Sequence, residues 1–205
     1  MDFARTVNWL GRVIRLDSTA FDEIKLDPSG MIGGLIAVVL TNLVIGIGTY
    51  IYGTVEDLPE KGDLLIKTVI LGTIVQTVLW VAWPGVTYLL LNSFYKATAD
   101  VQQLIATMGF AYVPAAIMAL IFITPLDTPF ALLGMVAAFV LTQYAIASSS
   151  NASSVQITLA NLAGLAAFSV LMSVIAVEIL GDDGLGDYPF ASGIWFLDWL
   201  GGLLT

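Results

Sequence analysis

Long apolar stretches separated by short polar segments are the main pattern of this 205-residue chain. They lack the alternation of apolar and polar residues that is typical of strands, and backbone in contact with lipid must satisfy its own hydrogen bonds, so we interpret them as helices. Most are near the ~20 residues that cross the ~30 Å hydrocarbon core of a bilayer. The pattern predicts an all-α protein with five transmembrane helices, at residues 31–52, 65–92, 104–123, 129–147 and 157–180.

Two prolines interrupt predicted spans. Pro84 lies inside the long second span, and Pro114 lies inside the third. A proline within a helix removes a backbone hydrogen bond and kinks or breaks the helix. We therefore expect the second span to be tilted or kinked, and both prolines to shape their spans.

Residues 3–16 have the pattern of an amphipathic helix. Their apolar residues recur at helical spacing, and basic residues line another face. Such a helix lies in the membrane interface, where its cations attract anionic lipids. We expect it on an anionic inner leaflet, with Arg5, Arg12 and Arg15 at the lipid headgroups and Trp9 as an interfacial anchor. A second short helix is predicted at residues 18–25, with Thr19 and Asp22 at capping-box-like spacing.

The polar segments divide the chain into three parts. Residues 1–30 are the amphipathic segment, and residues 31–180 are the five-helix domain. Residues 181–205 begin with an acidic, glycine-rich loop and continue as an apolar segment that carries Trp195 and Trp199. That last segment is too short to span comfortably, so we expect it to lie in the outer interface.

The basic residues predict the orientation, because cytoplasmic loops of membrane proteins are enriched in Lys and Arg. One side of the predicted topology holds five of them and the other holds two. We therefore predict a multi-pass protein of the plasma membrane, with a cytoplasmic N-terminus and an external C-terminus. The five are Arg5, Arg12, Arg15, Lys25 and Lys96; the two are Lys61 and Lys67.

Composition excludes several classes of protein. Hydrophobic residues make up 58% of the chain and charged residues 11%, against roughly 25% charged residues in soluble domains. The chain has no His and no Cys, which excludes a Ser-His-Asp triad and leaves little basis for a zinc or iron–sulfur site. A net charge of −9 leaves no basic footprint for nucleic acid. We expect no catalytic residues, cofactor or metal, and the acidic excess hints at a halophilic source.

Two short motifs resemble a known family. Residues 21–28, FDEIKLDP, have the form F-x-E-I-x-x-D-P, which is similar to the segment before the first span of Yip-domain proteins. Residues 94–104 and the following MGFAYVP at 108–114 resemble that family's short cytosolic linker and third span. Five spans with the N-terminus inside also agree with the family, whose eukaryotic members interact with Rab GTPases.

The resemblance implies a membrane-organising or partner-binding role, without established catalytic residues. It directs attention to Phe21, Ile24 and Asp27 as a docking segment for a partner. The chain departs from the family at Phe94-Tyr95, where Gly-Gly is frequent, and in lacking the long N-terminal region of eukaryotic members. That difference favours a prokaryotic, archaeal-like member, for which a Rab partner is not implied.

Two functions from different classes are compatible with these observations. The first is a non-enzymatic scaffold or accessory subunit that binds another membrane protein, a cytosolic partner or a second copy. The second is a small transporter or channel subunit, because polar groups and proline kinks inside spans can line a cavity, although such groups more often join helices. An intramembrane enzyme has no paired nucleophile and base to support it. The candidate cavity residues are Gln76, Pro84, Pro114, Gln143 and Asn161.

Overall fold

The computed structural model describes residues 3–56 and 64–180, and these residues are almost entirely helical. The predicted C-terminal interfacial segment, with Trp195 and Trp199, lies outside the described residues. A single antiparallel bridge, between Ala99 and Ser150, is the strand-like pairing found within them. In chain order the helices are α1 Phe3–Ile14, α2 Thr19–Ile24, α3 Gly30–Val55, α4 Ile66–Phe94, α5 Val101–Phe122, α6 Thr124–Ser148 and α7 Ser154–Leu180.

Five helices of the described part, α3 to α7, are long and apolar enough to cross a membrane. This confirms the fold predicted from the apolar stretches, and each bound lies within a few residues of the predicted one. Large apolar side chains point outward along these helices, as expected of a surface in contact with lipid. Examples are Ile36 and Val44 on α3, Val136 and Val140 on α6, and Leu159 and Leu162 on α7.

Glycines allow α3 to lie very close to its neighbours. A Cβ added at Gly109 of α5 would lie 2.5 Å from the backbone oxygen of Gly34. One added at Gly48 would lie 2.4 Å from the Cα of Ala119. Helices in lipid associate by close packing of this kind, because burial of apolar surface gives no advantage there. The two contacts fix α3 against both halves of α5.

The second span is interrupted, as the proline inside it predicts. The break, however, lies before the proline and not at it. In α4 the regular α-helical segments Gly72–Trp80 and Ala82–Leu89 meet at Val81. Pro84 has no N–H to donate to the carbonyl of Trp80, four residues earlier, and its ring crowds that carbonyl. The disturbance therefore falls one turn before the proline. Wider π-helical turns form both ends of this span, at Ile66–Leu71 and Leu90–Phe94.

The third span changes its winding at Pro114. It is α-helical over Val101–Ala111 and continues as a 3₁₀ helix over Val113–Phe122. A 3₁₀ helix has three residues per turn, so residues three apart share one face. The buried residues follow this period, because they are Ala115, Met118 and Ile121. This stripe contacts α6, where Ala115 and Met118 meet Gly134, and the neighbouring Ala119 meets Gly48 of α3.

Candidate functional site

The two N-terminal helices fold back onto the bundle and form a unit that we call the platform, residues 3–29. On α1 the buried side chains include Trp9 and Val13, and on α2 they include Phe21 and Ile24. The ring of Trp9 packs edge-to-face on Phe110 of α5, with centroids 5.8 Å apart. Apolar packing thus attaches both helices to the membrane domain.

The turn between α1 and α2 is built around Leu16 and Asp17. Leu16 has a positive φ of 62°, which reverses the chain. Asp17 Oδ1 then accepts hydrogen bonds from the Thr19 N–H at 3.1 Å and from the Thr19 hydroxyl at 2.6 Å. The predicted position of α2 is confirmed. The expected pairing of Thr19 with Asp22 is wrong, because the turn brings Asp17 to the first free N–H group.

Arg12 joins α1 to α2 through three side chains. Its guanidinium donates to Asp17 at 2.8 Å, to Glu23 at 2.7 Å and to the Thr19 hydroxyl at 2.9 Å. The Trp9 indole N–H adds a bond to Glu23 at 3.3 Å. Hydrogen bonds from Thr19 and Arg12 lower the pKa of Asp17, and those from Arg12 and Trp9 lower the pKa of Glu23. The two carboxylates in turn raise the pKa of Arg12.

Asp27 connects the platform to the start of the first span. Its Oδ1 accepts from the Ser29 N–H at 2.8 Å and from the Ser29 hydroxyl at 2.6 Å, while Oδ2 pairs with Arg5 of α1. The bonds from Ser29, followed by that from Arg5, lower the pKa of Asp27. One carboxylate thus orients both the chain entering α3 and the helix that lies beside it.

The loops at the same end of the bundle are joined to the platform through Lys25. Its ammonium group donates to Asp22 and to the backbone oxygen of Ser148, each at 2.6 Å. A cation at the carbonyl end of α6 is favourable because it opposes the helix dipole. Next to Ser148, Asn151 accepts from the Thr98 N–H at 2.7 Å, which ties the loop after α6 to the loop after α4.

These contacts change the roles expected for the predicted site residues. Phe21 and Ile24, expected in a docking segment, are fully buried and lie in the core of the platform. Trp9 is 3% exposed, which does not fit an anchor among lipid headgroups. Arg5 and Asp27 hold each other. The reason is common to all of them, since the platform uses its amphipathic residues to bind the bundle.

Asn161 lies at the centre of a buried hydrogen-bond cluster in the membrane domain. Its Oδ1 accepts from the Trp83 indole at 2.7 Å, and its Nδ2 donates to the Thr142 hydroxyl at 2.9 Å and to the Phe139 carbonyl at 3.2 Å. The cluster joins α4, α6 and α7. Trp83, one residue before Pro84, is therefore a hydrogen-bonding partner that the sequence does not identify.

The other polar side chains of the spans are distributed among several contacts. Asn42 donates to Thr77 at 3.1 Å and accepts from the Tyr112 hydroxyl at 3.2 Å, which joins α3, α4 and α5. Gln143 Oε1 accepts from Thr158 at 3.4 Å, while Gln143 Nε2 is buried without a hydrogen-bond partner among residues 3–56 and 64–180.

The remaining candidate cavity residues occupy separate parts of the bundle. Gln76 is half-buried on α4 and Pro114 is half-buried on α5, while Pro84 is buried. No cluster of metal-binding side chains occurs in residues 3–56 and 64–180.

A comparison with protein-family models identifies the domain. The model described as the Yip1 domain matches residues 12–178. The chain belongs to the Yip1 domain family. The match runs from α1 into α7, so in this Yip1 domain most of the platform and the spans form one unit. No curated protein and no solved structure shows a significant match.

The structure gives a physical reason for both motifs of this Yip1 domain. In FDEIKLDP, Phe21 and Ile24 pack into the core. The carboxylate of Glu23 pairs with Arg12. The carboxylate of Asp27 accepts hydrogen bonds from Ser29 and pairs with Arg5. In MGFAYVP, each of four positions has its own contact. Gly109 meets α3, Phe110 meets Trp9, Tyr112 meets Asn42, and Pro114 starts the 3₁₀ helix.

Proposed function

We propose that this Yip1-domain protein is a non-enzymatic membrane scaffold or accessory subunit whose platform docks a partner protein. The observation that carries the proposal is the fixed attachment of the platform. Trp9 on Phe110 of α5 and Lys25 on Ser148 of α6 hold it against two spans, while Arg12 on Glu23 joins its own two helices. A rigid surface loses little conformational entropy when it binds, which favours a docking role.

The exposed side of α2 is the surface that we assign to the partner. The side chains of Asp22 and Glu23 are 61% and 56% exposed, and Leu26 is 74% exposed. We call these three residues the docking patch. An acidic patch with one apolar residue is complementary to a basic protein surface that carries an apolar pocket. From the distribution of Lys and Arg we infer that this patch faces the cytoplasm.

The transport alternative rests on two buried donors without a partner, Trp80 Nε1 and Gln143 Nε2. Asn161 and Asn42 oppose it, because their hydrogen bonds join helices. Since the chain has no native cysteine, single cysteines at Gln143 and Asn161 can be tested with a water-soluble thiol reagent. We expect both to be unreactive in the folded protein, whereas rapid labelling of either would favour a water-filled path.

The docking proposal is tested with a photo-crosslinking amino acid in place of Leu26, in cells that make the full chain. We expect one crosslinked protein, identified by mass spectrometry, whose yield falls strongly when Asp22→Lys is added. The matched control is Glu56→Lys, which changes the same charge at the far end of α3. Crosslinks that are absent, or that persist with Asp22→Lys, would contradict the proposed docking patch.

A further inference from the structure

One exposed flank of α1 carries apolar side chains. Val7 is 50% exposed, Ile14 is 59% exposed, and Leu16 continues this surface just beyond the helix. We call these three residues the outer face of α1. At about 100° per residue, Val7 and Ile14 lie roughly 140–180° around the helix from Arg5 and Arg12. The outer face is therefore opposite the side on which the ion pairs form.

The position of α1 beside the spans indicates what covers this face. Trp9 packs on Phe110, the tenth residue of α5, which is about 13 Å along the helix axis from Val101. The Phe110 ring also lies 3.1 Å from the Cβ position of Gly33, in the first turn of α3. The helix thus lies beside the first turn of α3 and the third turn of α5, and not beyond the ends of these spans.

The same level of the bundle carries other outward-facing apolar side chains. Ile32 and Ile36, in the first two turns of α3, are exposed. Exposed apolar side chains thus occur in the same turns of α3 that the Phe110 ring contacts.

The basic residues in α1 and just after it differ in the ion pairs that they form. Arg12 is held by Asp17 and Glu23, and Arg5 is held by Asp27. The Arg15 side chain makes no hydrogen bond or ion pair with the described part of the chain, and Arg15 is exposed. Continuing the winding of α1, it lies about 80–100° from Val7 and Ile14. Its guanidinium is thus at the edge of the outer face.

We propose that the outer face of α1 is seated among the acyl chains of an anionic phospholipid leaflet and that Arg15 binds the lipid phosphate. A guanidinium suits this role because it can donate two hydrogen bonds to a phosphate. Arg5 and Arg12 have a different task, which is to hold α1 in position. The lipid site rests on the proposed membrane scaffold, but it does not require the partner protein.

The depth of the outer face is tested with single cysteines in the full chain, which has none of its own. Val7→Cys and Ile14→Cys are labelled with the fluorophore NBD in vesicles of phosphatidylcholine and phosphatidylglycerol. Ser18→Cys is the water-exposed control, and Val136→Cys is the lipid-exposed control. We expect quenching by nitroxide lipids at positions 7 and 14, with slow reduction by aqueous dithionite.

Two outcomes of that experiment would overturn the proposal. Reduction by dithionite at the rate of position 18 would show that the outer face is open to water. Protection from both dithionite and nitroxide lipids would show that another protein surface covers it.

The role of Arg15 is tested by titrating phosphatidylglycerol and following the emission of NBD at position 14. We expect Arg15→Gln to raise the half-saturating lipid fraction about fivefold, the effect of one basic residue near an anionic surface. Arg15→Lys should recover most of the loss. An unchanged titration for Arg15→Gln would refute the phosphate contact. Crosslinking at Leu26 should be the same in Arg15→Gln, so failure of the lipid site and failure of the docking proposal are distinguishable.

Discussion

The platform and the interior of the membrane domain are held together by different forces. Ion pairs on exposed side chains, such as Arg12 with Glu23, define the geometry of the platform. The interior relies on glycine contacts and on uncharged hydrogen bonds, such as Asn161 with Trp83. Exposed ion pairs respond to salt and pH and contribute little stability, whereas close packing in lipid responds to neither. The interior of the domain is therefore insensitive to salt and pH, whereas changes in salt or pH can loosen the platform.

The strongest test of the interior is Gly109→Ala. The new methyl group would lie 2.5–2.7 Å from the backbone of Gly34, so the two helices must separate. We expect a loss on the order of 3 kcal/mol in the free energy of unfolding, typical of overpacking. The control is Gly85→Ala, since no atom lies within 4 Å of its Cβ position, and it should be neutral or slightly stabilising. Thermal unfolding in detergent measures both, and equal effects would contradict the tight contact.

Asn161→Ala is expected to have the next largest effect. It removes three hydrogen bonds that join α4, α6 and α7. At ~0.6 kcal/mol for each bond between membrane helices, the loss is about 2 kcal/mol. Leu162→Ala, on the neighbouring exposed position, is the matched control for the same measurement. If both variants lost the same stability, the cluster would be unimportant for the fold.

Asp100→Ala tests the end of the membrane domain that lies on the side of the platform, where α5 begins. Asp100 accepts from the N–H groups of Gln102 at 2.9 Å and Gln103 at 3.0 Å. Loss of such a cap costs about 1 kcal/mol. Gln102→Ala alters an exposed side chain in the same turn and should change the unfolding free energy much less. A loss of similar size in both variants would show that the cap is not the cause.

Arg12→Gln is expected to loosen the platform without unfolding the spans. It removes the charge that joins α1 to Asp17 and Glu23. Hydrogen exchange should become faster in α1 and α2 and remain unchanged in α6 and α7. Arg15→Gln changes the same charge without breaking an ion pair of the described chain, so it should leave these rates as they are. If α1 and α2 exchanged at the same rates in Arg12→Gln and in wild type, apolar packing alone would hold the platform.

Acid should loosen the platform, as Arg12→Gln does. The effect of pH should be small near neutral pH. The pKa values of Asp17, Glu23 and Asp27 are lowered in the folded protein. Their contribution is therefore complete above the ordinary carboxyl pKa of about 4, and it is lost as the pH falls through the lowered values.

Spin labels on Ser18→Cys and Val155→Cys, both exposed, report this change as a distance. The distance distribution should stay narrow from pH 7 to pH 5 and broaden in stronger acid. Broadening already near neutral pH would assign the change to another group.

The sequence predicts the spans well because each must be apolar over the thickness of a bilayer. It does not predict which side of a span meets protein, since α3, α6 and α7 are apolar around most of their circumference. The platform shows the same difficulty in an amphipathic segment. The sequence pattern identifies Phe21 and Ile24 as part of an apolar face. Whether that face packs against a partner protein or against the chain's own bundle depends on tertiary packing.

Contacts between distant parts of the chain are the other features that the pattern does not contain. Arg5 and Asp27 are 22 residues apart, and Trp83 and Asn161 are 78 residues apart. No helical spacing relates such positions. The break in α4 at Val81, by contrast, follows from Pro84 once the carbonyl four residues earlier is considered.

The 3₁₀ helix at Val113–Phe122 has a consequence for how this protein can change during evolution. Three residues per turn align every third side chain on one face, and the most buried positions of this helix recur at that interval. Replacements in this stretch should therefore be restricted at every third position, so that residues 115, 118 and 121 stay small or apolar, with Ala119 also kept small by its contact with Gly48. A deletion of three residues would keep that phase, whereas a deletion of four, harmless to the phase of an α-helix, would turn the wrong side inward.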